Sequence, residues 1–183
     1  SSNTAIGAYS LYATTGQGNT ALGGHAGYSL GTGTNNTILG QSCGQNLSTA
    51  HHSVYVGQTC GFAITTGYQN VAIGALAFKE TGVEANDNVV IGYNAGTKIE
   101  DDNNVVIGTN AHVWGTSCNN NVAIGYDALK GSSGNTTGDK NVYVGGTCGL
   151  ANTTGYNNVG AGYSAMDAVT TGHTSVGIGY DAL

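Results

Sequence analysis

A pentapeptide close to Asn-Val-Ala-Ile-Gly recurs eleven times along this 183-residue chain, at intervals of 16 to 20 residues and most often 17. The copies open at Asn3, Asn19, Asn36, Ser53, Asn70, Asn88, Asn104, Asn121, Asn141, Asn158 and Ser175. A unit this short cannot bury its own apolar residues and must stack on its neighbours, so the period points to a repeat architecture. A single repeat domain over 1–183 is expected, read as a segment of a longer fibre. Repetition also argues against an enzyme, because active sites draw on unlike elements.

Aligning the repeats on their first residue assigns a role to each column. The second position is Thr or Val throughout and the fourth is aliphatic, from Ile6 to Ile178. Residues two apart share a strand face, so these columns are expected to point into one core. The fifth is Gly in all eleven repeats, which implies a positive-φ corner or a close approach of backbones. The eighth is small (Ala26, Cys43, Ala77, Cys148) and reads as a second inward ladder. The ninth is either large (Leu11, Phe78, Leu129, Met166) or Gly, and four of the glycines are followed three residues on by Leu30, Leu47, Ile64 or Ile99. Two routes thus fill one slot, as close packing requires. Gly149 departs from this pairing, with Asn152 at that offset and Leu150 expected to substitute. The rest of each unit is rich in Thr, Gly and Asn and reads as turn.

Two short strands and two turns per repeat make one coil of an all-β, parallel β-solenoid of about eleven coils. At about 4.8 Å per coil the rod is roughly 50 Å long. The leading Asn column is expected to form an amide ladder that sets the register between coils. The third position (Ala5, Ala21, Ile38, Tyr55, Ala72, Val90, Val106, Ala123, Tyr143) is assigned by this scheme to the outer face, yet it is apolar. Ile38, Tyr55, Val90, Val106 and Tyr143 are therefore read as an interface with a second chain.

The Asn-Val-Ala-Ile-Gly core followed by Ala-Leu, clear in Asn121-Val122-Ala123-Ile124-Gly125-Tyr126-Asp127-Ala128-Leu129, resembles the head repeats of trimeric autotransporter adhesins. With Thr-Thr-Gly between units, as at Thr65-Thr66-Gly67 and Thr153-Thr154-Gly155, it is also similar to repeat tracts of phage tail fibres. The resemblance implies a left-handed roll, three chains side by side, an extracellular place on a cell surface or virion, and a role in attachment. The unit here is longer than that of the adhesin heads.

Composition excludes several partners. A net charge of -6, four Lys and no Arg argue against nucleic acid. No apolar run approaches the length needed to span a bilayer. No motif calls for a cofactor.

The candidates for chemistry are few. Cys43, Cys60 and Cys148 stand in the small inward column and read as buried hydrophobes, with Cys43 and Cys60 near enough in adjacent coils for a disulfide to be considered. His51 and His52 are neighbours and point apart, which disfavours a shared metal. Six of the ten acidic residues fall between Glu80 and Asp102. Glu84, Asp87, Glu100, Asp101 and Asp102 form an oxygen-rich edge that could suit Ca²⁺, although a solvated acidic rim is the simpler reading. Tyr93, Tyr126, Tyr163 and Tyr180 follow the corner Gly, while Tyr68 and Tyr156 lie in turns. With Trp114 they are candidate glycan contacts, the alternative being rings that cap the corners of the coil. Asn35, Asn46, Asn135 and Asn152 head glycosylation sequons.

Two readings of function follow. The first is an attachment fibre, homotrimeric, whose repeated turns meet cell-surface carbohydrate. The second is a filament growing end to end from unpaired terminal strands. Joining the last repeat to the first gives an 11-residue junction, which does not encode a seamless stack. An ice-binding solenoid is a weaker third reading, because the Thr array is interrupted by Glu, Asp and Lys.

Overall fold

The computed structural model describes residues 2–80, 84–131 and 136–183. It is a parallel β-solenoid. Eleven three-residue strands, from Thr4–Ile6 to Val176–Ile178, stack in one parallel sheet, giving ten turns and the start of an eleventh. Neighbouring strands are in exact repeat register, with Ile38 over Tyr55 and Val90 over Val106. Among the described residues there is no helix.

Among the described residues, the second strand expected in every coil is regular only at Thr49–His51 and Thr66–Tyr68, which form a small parallel sheet. Elsewhere the remainder of the coil turns through left-handed backbone. The seventh position is left-handed in every repeat, with φ of 52° to 60° (Tyr9, His25, Ser42 through Asp181). The ninth position is left-handed as well. L-residues resist this region. It is held here by hydrogen bonds between coils, such as His25 N–H to the Ala8 carbonyl at 2.9 Å and Gly27 N–H to the Cys43 carbonyl at 2.9 Å. Alternating the backbone hand at positions seven and nine turns the eighth side chain inward, which is why that column must be small.

The corner Gly satisfies both parts of its expectation. At Gly40 φ is 135°, and a Cβ there would lie 2.5 Å from the Gly57 carbonyl oxygen of the next coil.

The assignment of the strand faces is reversed. The third position is the inward one: Ile38, Tyr55, Val90, Val106 and Tyr143 are all 0% exposed and belong to the core of the chain itself. They cannot form the interface expected of them. Positions two and four point outward, with Ile6, Ile73, Val144 and Ile178 exposed. The physical reason is volume sharing across the coil. Where the third residue is Tyr the ninth is Gly, because Tyr55 lies against Gly61 and Tyr143 against Gly149 so closely that a Cβ would clash at 2.6 and 2.7 Å. In the coils of Ala72, Ala123 and Gly160 the ninth is Phe78, Leu129 or Met166, each buried, whereas Ala21 with Gly27 leaves the slot to Leu30, and Val106 with His112 places two large side chains in one coil.

Leu30, Leu47, Ile64 and Ile99 fill the core as expected. In the coil of Gly149, Leu150 stays half-buried and the slot goes to Tyr143 and Asn152, joined by a hydrogen bond from Asn152 Nδ2 to the Tyr143 hydroxyl at 2.8 Å.

The amide ladder is present. Asn104 Oδ1 accepts from the Asn121 backbone N–H at 3.0 Å, while Asn104 Nδ2 donates to the Cys118 carbonyl at 2.8 Å. One side chain thereby links two coils and closes its own ring. Ser53 replaces Asn in the column, its Oγ accepting from Asn70 N–H at 3.1 Å.

Candidate functional site

Three surfaces carry what a rod of this kind can offer. The first is the outer face of the long sheet. It presents two columns, Thr or Val at position two and Ile, Leu, Val or Ala at position four, with no charged residue over eleven strands. At about 4.8 Å per strand and about 7 Å between columns, this is a flat apolar strip on the order of 500 Å². Ordinary monomers seldom expose more in one patch.

The second is a turn edge formed by the penultimate residue of each coil: Gln17, Thr34, His51, Tyr68, Asn86, Asp102, Asn119, Asp139, Tyr156 and His173. These side chains form a ladder. Thr34 Oγ1 lies 2.9 Å from His51 Nδ1, and the His51 and Tyr68 rings stack at 5.5 Å between centroids, 6° from parallel. Asn86 donates through its backbone N–H and its Nδ2 to Asp102 Oδ1 at 2.7 and 3.1 Å. The Asn119 N–H donates to Asp139 Oδ1 at 2.7 Å. Tyr156 and His173 stack at 4.9 Å. At the start of this edge, Thr15, Gly16, Gln17, Thr32, Thr34 and Asn35 line an open depression of about 450 Å³.

The third is the set of aromatics at the corners. Tyr68, Tyr93, Tyr126, Tyr156, Tyr163 and Tyr180 are all exposed, as their assignment requires. Only Tyr163 and Tyr180 among the four corner tyrosines come together, stacked at 5.8 Å. A further cluster, Tyr9, Tyr12, His25 and Tyr28, lies outside the tyrosines singled out from sequence, although position seven (Tyr9, His25), position ten (Tyr12, Tyr28) and the 16-residue spacing of these two repeats place the rings side by side. Trp114 is half-buried, with the Lys98 ammonium 4.5 Å above its ring and Glu80 3.9 Å beyond that. It is part of an inter-coil stack, which leaves it a poor contact for a ligand.

The acidic edge is not brought together as a cation site. Asp102 is spent on the amide ladder, and among the described residues no group of three or more His, Cys, Asp or Glu could hold a metal. Burial, with the neighbouring Asp102 and Asp139 charges, raises the Asp101 carboxyl above its ordinary range.

All four cysteines are buried thiols. Cys43 is held far above the usual thiol range, first by its contact with Cys60 and then by burial. Burial pushes Cys118 up to about 12 and Cys148 to about 11.

Of the sequons, Asn35 and Asn46 are exposed, while Asn152 is 0% exposed and bonded inside the coil, which closes it to a glycan. Asn135 lies outside the described residues. His52 is exposed, on left-handed backbone at φ 54°.

No family model, curated protein or solved structure matches the chain.

Proposed function

We propose that this chain is a rigid segment of an extracellular attachment fibre, on a cell surface or virion, in which three copies associate side by side and the turns meet carbohydrate. The observation that carries the reading is the outward strip of Val and Ile. A solvated strand face should alternate with polar side chains. This one is uncharged along its length and, beyond Thr4, Thr20 and Thr37, aliphatic. A strip of about 500 Å² falls short of the roughly 800 Å² per partner of a standard two-chain interface. Three chains around an axis would each meet two neighbours, so the flanks of the strip would contribute as well. The exposed turn tyrosines would then face outward, each a weak contact multiplied by repetition. The reading assigns the rod no enzymatic role.

The test is the absolute mass by light scattering across a dilution series, for the native chain and for Ile107→Lys and Ile124→Lys. The native chain is expected to remain a three-chain species, and each lysine to release monomers with an unchanged circular dichroism spectrum. A native chain that is monomeric at every concentration would overturn the association. Open-ended growth with concentration would favour the filament.

A further inference from the structure

We infer that the turn edge of the first four coils is a binding cleft for a neutral, extended oligosaccharide lying parallel to the rod. The inference rests on the attachment reading and names its ligand class and its site.

Four observations converge there. First, the side chains are fixed. Thr34, His51 and Tyr68 lie in consecutive coils on the short second sheet and its flanking bridge, with Thr34 paired to His51 and His51 to Tyr68. A site built on paired strands holds its geometry better than one on free loops.

Second, the hydrogen-bonding groups are oriented. His51 Nδ1 accepts from the Thr34 backbone N–H at 3.2 Å, so the ring carries its proton on Nε2. That N–H is the donor left for a ligand. The neighbouring depression supplies the Thr32 and Thr34 hydroxyls and the Gln17 and Asn35 amides, which both donate and accept. This mixture matches sugar hydroxyls, which do the same.

Third, there is an apolar platform. His51 covers one face of the Tyr68 ring, yet Tyr68 remains 50% exposed. The C–H face of a pyranose packs on such a surface. Coils are spaced by about 4.8 Å. A pyranose unit in an extended chain advances by a similar length, so successive sugars can meet Gln17, Thr34, His51 and Tyr68 in turn.

Fourth, charge selects the ligand. Residues 1–78 contain no Asp, Glu, Lys or Arg; the first charged side chain is Lys79. Further along the same edge stand Glu84, Glu100 and Asp102. Residues 1–78 supply no Lys or Arg to receive a sialate or sulfate, and the carboxylates beyond the cleft repel one.

The experiment uses the whole chain on an array of immobilised neutral hexose and N-acetylhexosamine oligosaccharides, beside their sialylated and sulfated counterparts. Tyr68→Ala, Thr34→Val and Gln17→Ala are compared with Tyr68→Phe and with Tyr163→Ala at the other stacked pair. Melting curves confirm that each variant folds. Neutral oligosaccharides are expected to bind. Tyr68→Ala should weaken binding by about tenfold or more, on the scale of one lost stacking contact. Tyr68→Phe should keep most of it, and Tyr163→Ala should leave it unchanged. Binding that survives Tyr68→Ala and falls with Tyr163→Ala overturns the site and leaves the attachment reading standing. Binding to acidic glycans alone overturns the ligand class. Binding to no glycan overturns both the inference and the carbohydrate part of the reading beneath it.

Discussion

Replacing His112 with Leu should make the chain more stable, and increasingly so as the pH falls. His112 stands in the ninth-position slot that Leu11, Leu129 and Met166 fill elsewhere, and it is 0% exposed. Neither ring nitrogen has a hydrogen-bond partner, and Gly115 packs so close that a Cβ there would come within 2.5 Å of Nε2. Each unmade bond of a buried polar group costs about 1–3 kcal/mol, so an aliphatic side chain of similar size should gain about that much at pH 7.5. Burial also lowers the imidazole from 6.5 to about 4. The unfolded chain therefore takes up a proton below pH 6.5 that the folded chain refuses until near pH 4. The stability this group contributes is intact above pH 6.5 and is lost as pH falls from there toward 4. The full interval corresponds to about 3 kcal/mol. Urea unfolding, followed by circular dichroism at pH 7.5, 6.0, 5.0 and 4.5, gives the difference between Leu variant and native chain at each pH. Taking the difference removes the carboxylates, which titrate in both proteins. It should start near 1–3 kcal/mol and widen by about 2–3 kcal/mol toward pH 4.5. A difference that stays flat across this range would refute the reasoning. So would a Leu variant less stable than the native chain at pH 7.5, because His112 would then be making a bond worth keeping.

Two other substitutions probe the scaffold. Gly40→Ala places a Cβ 2.5 Å from the Gly57 carbonyl at φ 135°, and thermal or urea unfolding should show a loss of about 2–4 kcal/mol. Asn104→Ala leaves the Asn121 N–H and the Cys118 carbonyl without their side-chain partner and should cost about 2–4 kcal/mol. Asn104→Ser should cost clearly less, since Ser53 already serves in this column; equal losses for Ala and Ser would show that the ladder bond to the next coil is not what stabilises it.

Much of the candidate cleft was within reach of the sequence. From sequence Tyr68 is a candidate glycan contact and His51 one of two adjacent histidines, with no motif that joins them. The period joins them: 34, 51 and 68 are 17 apart and share a column. What the sequence could not supply was the second sheet, which is regular only between Thr49–His51 and Thr66–Tyr68. Nor could it give the tautomer of His51, which depends on a bond to the Thr34 backbone. The surroundings of Trp114 were hidden for a similar reason, since its partner Lys98 is one coil away and only the stack shows the ammonium above the ring.

The period, the Gly at position five and the Asn at position one were by themselves enough to determine a parallel solenoid. A unit of 17 residues must stack, Gly is required where successive backbones nearly touch, and a buried amide must bond to its copies above and below. Which side of the strand is inside was decided only by the tertiary structure. A three-residue strand with Val, Ala and Ile has two apolar faces, so a period of two cannot tell them apart. Closure of the coil breaks the tie. Its interior shares a limited volume between positions three and nine, which fits Tyr55 with Gly61 and Ala72 with Phe78. The paired Val and Ile of positions two and four are excluded from that volume and left on the surface.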